Sequence, residues 1–100
     1  MTKKKRLTVA MRTLVGAFAE DKDRAKSIRE NILWPHIKIG GAVELDFAHV
    51  DDATQSFIHA LLSELIRETH AEALDLIYFK NCNETVKGII NMVVEYMVEN

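Results

Sequence analysis

The sequence predicts an α/β fold: a small, mixed to mostly parallel sheet with amphipathic helices packed mainly on one face. Three observations predict it. Short segments with apolar residues at every second position, or in one brief continuous run, read as strands. Longer segments with apolar residues three and four apart read as helices. The two kinds alternate three times, and that order implies parallel strands joined by right-handed crossovers. At 100 residues the chain is long enough for one domain with a workable core. The expected organisation is a basic tail over residues 1–6 and a single domain over residues 7–100.

Each element has its own justification. Leu7, Val9 and Met11 alternate with Thr8, Ala10 and Arg12, a strand pattern. The apolar run continues through Leu14, Val15, Ala17 and Phe18, either as one bent strand or as two short strands broken near Thr13. Acidic residues then open a helix, with Ala25, Ile28 and Ile32 on one face. Pro35 is expected to end it at or before Trp34, because proline disfavours helical geometry in its predecessor. Gly40 and Gly41 mark a turn after a connection or short edge strand. Val43, Leu45 and Phe47 then alternate with Glu44 and Asp46 as the next strand. A helix over residues 54–69 places Phe57, Ile58, Leu61, Leu62, Leu65 and Ile66 in a buried stripe. The apolar run from Leu74 to Phe79 is the third strand. Asn81, with Glu84 three positions on, resembles a capping box before the last helix. That helix buries Val86, Ile89, Ile90, Val93, Val94 and Met97.

Composition narrows the function classes. The chain is 48% hydrophobic and 28% charged, which suits a compact domain rather than a disordered one. No stretch of about 18 apolar residues exists, and the N-terminal segment lacks the apolar region of a signal peptide, so a cytoplasmic protein without a membrane partner is expected. The net charge of −2 is unevenly spread. Without Lys3, Lys4, Lys5 and Arg6, nine basic side chains face fifteen acidic ones, a net of −6 (9 − 15). An acidic body repels phosphate backbones, which disfavours nucleic acid as the principal ligand. A lone cysteine, Cys82, excludes an internal disulfide and offers no zinc motif. It is expected to be a small, partly buried side chain, although the adjacent helix start could lower its pKa.

The helix over residues 54–69 also has a polar side. At about 100° per residue, Ser56, His59, Ser63, Arg67 and His70 fall opposite the apolar stripe. Ser56 therefore points away from the core, in a first turn whose unpaired N–H groups and dipole favour negative charge. A phosphate there would benefit from both, which is a physical reason to consider a switch. Asp51 and Asp52 would oppose the added charge unless they cap the helix, and Asp52 with Gln55 could form such a pair. The plain alternative is a serine in a favoured helix-start position.

The residues around Ser56 resemble a known family. Leu45-Asp46-Phe47, a few loop residues, then Gln55-Ser56-Phe57 opening a helix is similar to the central strand–helix junction of STAS domains, the sulfate transporter and anti-sigma-factor antagonist family. The likeness is closer to STAS-like bacterial domains of unassigned role. The order of elements over residues 7–98 fits as well. In anti-sigma-factor antagonists this junction carries Asp-Ser-Ser-Gly, and a partner kinase of the GHKL type phosphorylates the second serine. That serine matches Ser56, whereas Thr54, Gln55 and Phe57 depart from the other three positions. The resemblance implies a non-catalytic protein–protein interaction domain of a bacterial regulatory system, with a GHKL-type ATPase or kinase, or another signalling subunit, as partner. The contact surface expected is Asp51, Asp52, Thr54, Gln55, Ser56, His59, Ser63 and Arg67, with Ser56 the phosphorylation candidate.

Rival chemistries find less support in the residues. A small enzyme or ligand-binding domain would use the loop at residues 46–52 and the Ser56/His59 face. Ser56 and His59 are one turn apart, but no third group orients the histidine, and no glycine-rich turn supplies an oxyanion hole or phosphate cradle. Gly40-Gly41 precedes a strand and is not a P-loop. His36, His49, His59 and His70 lack the paired spacing of a helical metal site, so neither a metal nor a cofactor is expected. Met92 and Tyr96 widen the apolar arc of the last helix, as core rim or as a partner patch; a homodimer is compatible with the latter. Trp34 reads as a partly buried anchor at a helix end.

Overall fold

A computed structural model describes residues 6–99. The expected basic tail lies outside the described residues apart from Arg6. The chain opens with β1 (Leu7–Ala10). The polypeptide then turns into a short helix, α1 (Met11–Val15), rather than continuing as strand. This resolves the apolar run over residues 7–18: the break is a helical turn closed by Gly16, whose φ of +78° suits glycine and whose N–H bonds to the Arg12 carbonyl at 2.9 Å. Met11 is fully buried, but from a helix. A two-residue β2 (Phe18–Ala19) follows.

Helix α2 (Lys22–Ile28) is capped by Asp21, whose carboxylate accepts from the Asp23 and Arg24 amides. It runs on through a π-helical stretch, Arg29–Leu33, into α3 (Trp34–Ile37). The expected stop at Trp34 is therefore corrected. The Trp34 N–H bonds to the carbonyl of Arg29, five residues back. This widened turn directly before Pro35 accommodates a residue with no N–H and a ring that would crowd a regular turn. The same turn shifts the helical phase. Ile28 and Leu33, five apart, are buried, while Ile32, expected inward, lies at the rim.

After the turn at residues 38–41 comes β3 (Val43–Asp46), with Val43, Leu45 and Phe47 fully buried as the alternation predicts. The two-residue β4 (Asp52–Ala53) pairs parallel with β2. Helix α4 (Gln55–Glu68) buries all six residues of its predicted stripe. A 3-10 turn, Glu72–Asp75, takes the first half of the expected third strand, leaving β5 (Ile77–Lys80). The last helix is α5 (Glu84–Glu99). Its cap is Asn83, not Asn81: the Asn83 side-chain oxygen accepts the Val86 N–H at 2.8 Å.

The main sheet has the order β1-β3-β5 and is wholly parallel, with Leu7, Val43 and Ile77 in one row and Val9, Leu45 and Phe79 in another. These rows face the helices; α4 sits between α2 and α5. The opposite face is open to water. There the Arg6 guanidinium bonds to Glu44 at 2.7 Å and stacks 4.1 Å over the Tyr78 ring, and Lys80 approaches Glu44 at 3.6 Å. An open face on a parallel sheet needs polar side chains, and this ion-paired row supplies them.

Candidate functional site

The site is built at the junction from β3 to α4. Phe47 is sunk in the core, and the Val50 N–H closes a turn on its carbonyl at 3.0 Å. Asp46 Oδ1 accepts from the Ala48 amide and from Asn81 Nδ2, both at 3.0 Å, and these hydrogen bonds, the Asn81 one foremost, hold its carboxyl below the usual range. Downstream, the Asp51 N–H bonds to Ala17 and the Thr54 N–H to Ala19, while Asn83 Nδ2 donates to the Asp51 carbonyl at 2.9 Å. The loop is thus fastened from the β2 side and from the head of α5. Asp52 is spent locally: its Oδ1 takes the neighbouring Ala53 N–H, so the Asp52/Gln55 capping pair does not form.

Thr54 is the cap. Its hydroxyl accepts the Phe57 N–H at 3.0 Å. Gln55, next in line, reaches across to α5, with Nε2 donating to Met92 Sδ at 3.0 Å. Ser56 follows in the first turn of α4 and is exposed, as the helical periodicity requires. His59 and Arg67 are exposed on the same side, while Ser63, expected outward, retains only 8% exposure because α5 closes over it.

The structure joins surfaces that the sequence kept apart. Between α4 and α5 run two adjoining hollows of about 500 Å³ each, sharing His59 and Tyr96. The first is lined by Lys22, Gln55, Ser56, His59 and Met92 among others, and the second by Ser63, Arg67, His70 and Val98. The polar face of α4 and the Met92/Tyr96 edge of α5 are therefore two walls of one groove. Asp51 and Asp52 are exposed beside its upper end but do not line it. Sequence reasoning missed Lys22, which reaches the groove only through packing of α2 against α4, Ala60, which lies on α4 beside its polar face, and Asn83, a cap-forming residue directly before the acidic first turn of α5.

Ser56 and His59 stand one turn apart in this groove, whereas the Asp46 and Asp52 carboxylates are turned to backbone amides and Asn81. Among the described residues no three His, Cys, Asp or Glu side chains converge on a metal-sized site, and no helix is long and apolar enough to cross a membrane. Cys82 is half-buried, as expected of a small, partly buried side chain, and burial pushes its thiol up.

Among protein families, the model described as a STAS-like domain of unknown function (DUF4325) matches residues 24–87, from α2 into the first turn of α5. No curated protein and no solved structure matches the chain.

Proposed function

The chain belongs to the family of STAS-like domains, and on that premise we propose that it is a non-catalytic regulatory module that works by protein–protein contact, in the manner of an anti-sigma-factor antagonist. Its partner is a GHKL-type ATPase or kinase, or another signalling subunit. The contact surface is the loop carrying Asp51 and Asp52 together with Thr54, Gln55, Ser56, His59, Ser63 and Arg67. Phosphorylation of Ser56 is the switch.

The observation that supports this reading is the placement of Ser56. Its hydroxyl is exposed at the mouth of the α4–α5 groove, two positions past a residue that already caps the helix. Because Thr54 accepts the Phe57 amide, the Ser56 side chain is not needed for the helix start and is open to modification. A phosphate adds about −1.5 to −2 charges at neutral pH. In the first turn it is tolerated by the chain's own helix dipole, and it repels an acidic partner surface.

The test begins with the genes that neighbour this chain's own, among which a GHKL-type ATPase is expected, and uses that protein. Intact-mass measurement after incubation with that protein and ATP should show one added phosphate, lost in Ser56→Ala. Ser56→Asp and Ser56→Ala should differ in affinity for the partner by tenfold or more. Equal affinities would remove the switch; a chain that neither binds the ATPase nor takes phosphate, yet turns over a small substrate, would remove the module as well.

A further inference from the structure

We propose that the α4–α5 groove receives an amphipathic helix of the partner whose flanks are acidic. This deepens, and rests on, the interaction-module reading above. Three features define the occupant: shape, apolarity and charge.

The groove follows α4 for its whole 14 residues, a length of about 21 Å, which matches a partner helix of three to four turns. Its floor carries a small, half-exposed side chain, Ala60, so another backbone can come close there. Its α5 wall is apolar and open to water: Met92 is 50% exposed and Tyr96 66% exposed. An aromatic and a methionine, exposed along one edge of a groove, suit a helix-in-groove contact with anchors three and four residues apart.

Charge then chooses among helices. Among the described residues, the ionisable side chains lining the groove, apart from the Tyr96 phenol, are Lys22, His59, Arg67 and His70, with no carboxylate among them. This stands out in a chain whose acidic side chains outnumber its lysines and arginines fifteen to thirteen. Arg67 does pair with Glu64 at 3.1 Å, but the side chains are 67% and 44% exposed, so that water-screened ion pair yields to a competing carboxylate. Opposed charge at the rim sets orientation and on-rate, and like charge suppresses wrong partners. The same chemistry makes Ser56 an effective switch point, since a phosphate at the upper end of the groove would face the acidic flank of the occupant.

A display library of 14-residue helices tests this. It has a fixed leucine stripe at positions i, i+3, i+4, i+7 and i+11, and flanking positions randomised over Glu, Lys, Gln and Ala. Selection on the full chain should enrich Glu at the flanks. The selected peptide should bind at least tenfold more weakly to Lys22→Glu/Arg67→Glu and to Tyr96→Ala, with circular dichroism confirming that these surface variants remain folded. Enrichment of Lys, equal binding by the variants, or no enrichment would overturn the proposal. So would a concentration-dependent dimer that Tyr96→Ala dissociates, because the occupant would then be a second copy. Failure here alongside phosphate uptake at Ser56 leaves the switch standing; acidic selection with identical binding by Ser56→Asp and Ser56→Ala removes the switch and leaves the groove.

Discussion

The Thr54 hydroxyl accepts the Phe57 amide hydrogen at 3.0 Å, and this one bond separates the structural duty of the α4 start from its signalling potential. Phe57 is fully buried, so the cap fixes the helix where it enters the core. Thr54→Ala should cost about 1 kcal/mol, which for a domain of this size lowers Tm by about 4–8 °C. Thr54→Ser should retain most of the stability. Ser56→Ala, at an exposed non-capping position, should stay within about 0.5 kcal/mol of the parent. Urea and thermal unfolding of the three variants check the ordering; a Ser56→Ala as damaging as Thr54→Ala would mean that both hydroxyls hold the helix.

The charged row on the open sheet face makes stability depend on acid. The Arg6 hydrogen bond, foremost, and Lys80 hold the Glu44 carboxyl below its ordinary value, and the Asn81 amide and Ala48 N–H do the same for Asp46. Both folded-state pKa values are lower than the unfolded ones, so the unfolded chain binds protons more readily. Their contribution is thus fully present above the unfolded carboxylate range, about pH 4 to 5, and is lost as pH falls through the lower folded values. The urea midpoint should drop between pH 6 and pH 3, and Glu44→Gln should flatten that drop. An identical pH profile in the variant would show that the ion-paired row carries none of it.

The elements most legible in the sequence are those where one periodicity has no competitor. Six apolar residues at three- and four-residue spacing make α4 a helix and nothing else, and all six are buried. The alternation of Val43, Leu45 and Phe47 is equally unambiguous. Met11 fits both a strand of period two and the first turn of a helix, so its burial was readable and its backbone was not. Ile32 was assigned inward on a regular helix, and only the π turn before Pro35 hands that place to Leu33. At both later helix starts, two cap-forming residues stand two apart, Asp52 with Thr54 and Asn81 with Asn83, and the first of each is engaged elsewhere: Asp52 by the adjacent Ala53 N–H, Asn81 by Asp46 across the sheet. The outward face of α4 was legible; the groove was not, because it exists only where α5 lies against that face.

Burial also makes a statement about Cys82. Desolvation raises its thiol pKa, and the nearby Lys87 only partly offsets this. With Phe79 and Ile90, Cys82 lines a hollow at the head of α5. Reaction requires thiolate and access, so alkylation by iodoacetamide at pH 7.5 should run at least tenfold slower on the folded chain than in urea. Comparable rates in the two states would show that burial does not protect Cys82.

The turn before β3 carries the tightest steric constraint. Gly41 is buried, its N–H bonds to the His36 carbonyl at 3.0 Å, and a Cβ built on it would fall 2.5 Å from His36 Nε2. No side chain fits there unless the imidazole moves. Gly41→Ala should therefore destabilise by about 1–3 kcal/mol through overpacking. The cause is a single side chain, so it can be removed independently. In His36→Ala/Gly41→Ala the new methyl meets no ring, and the double variant should unfold at a higher urea concentration than the two single effects added together allow. Strict additivity would place the penalty in the backbone of the turn rather than in the His36 ring. The adjacent Gly40, at φ +83°, supplies the contrast: Gly40→Ala should cost about 1 kcal/mol through the left-handed backbone alone, and His36→Ala should leave that cost unchanged.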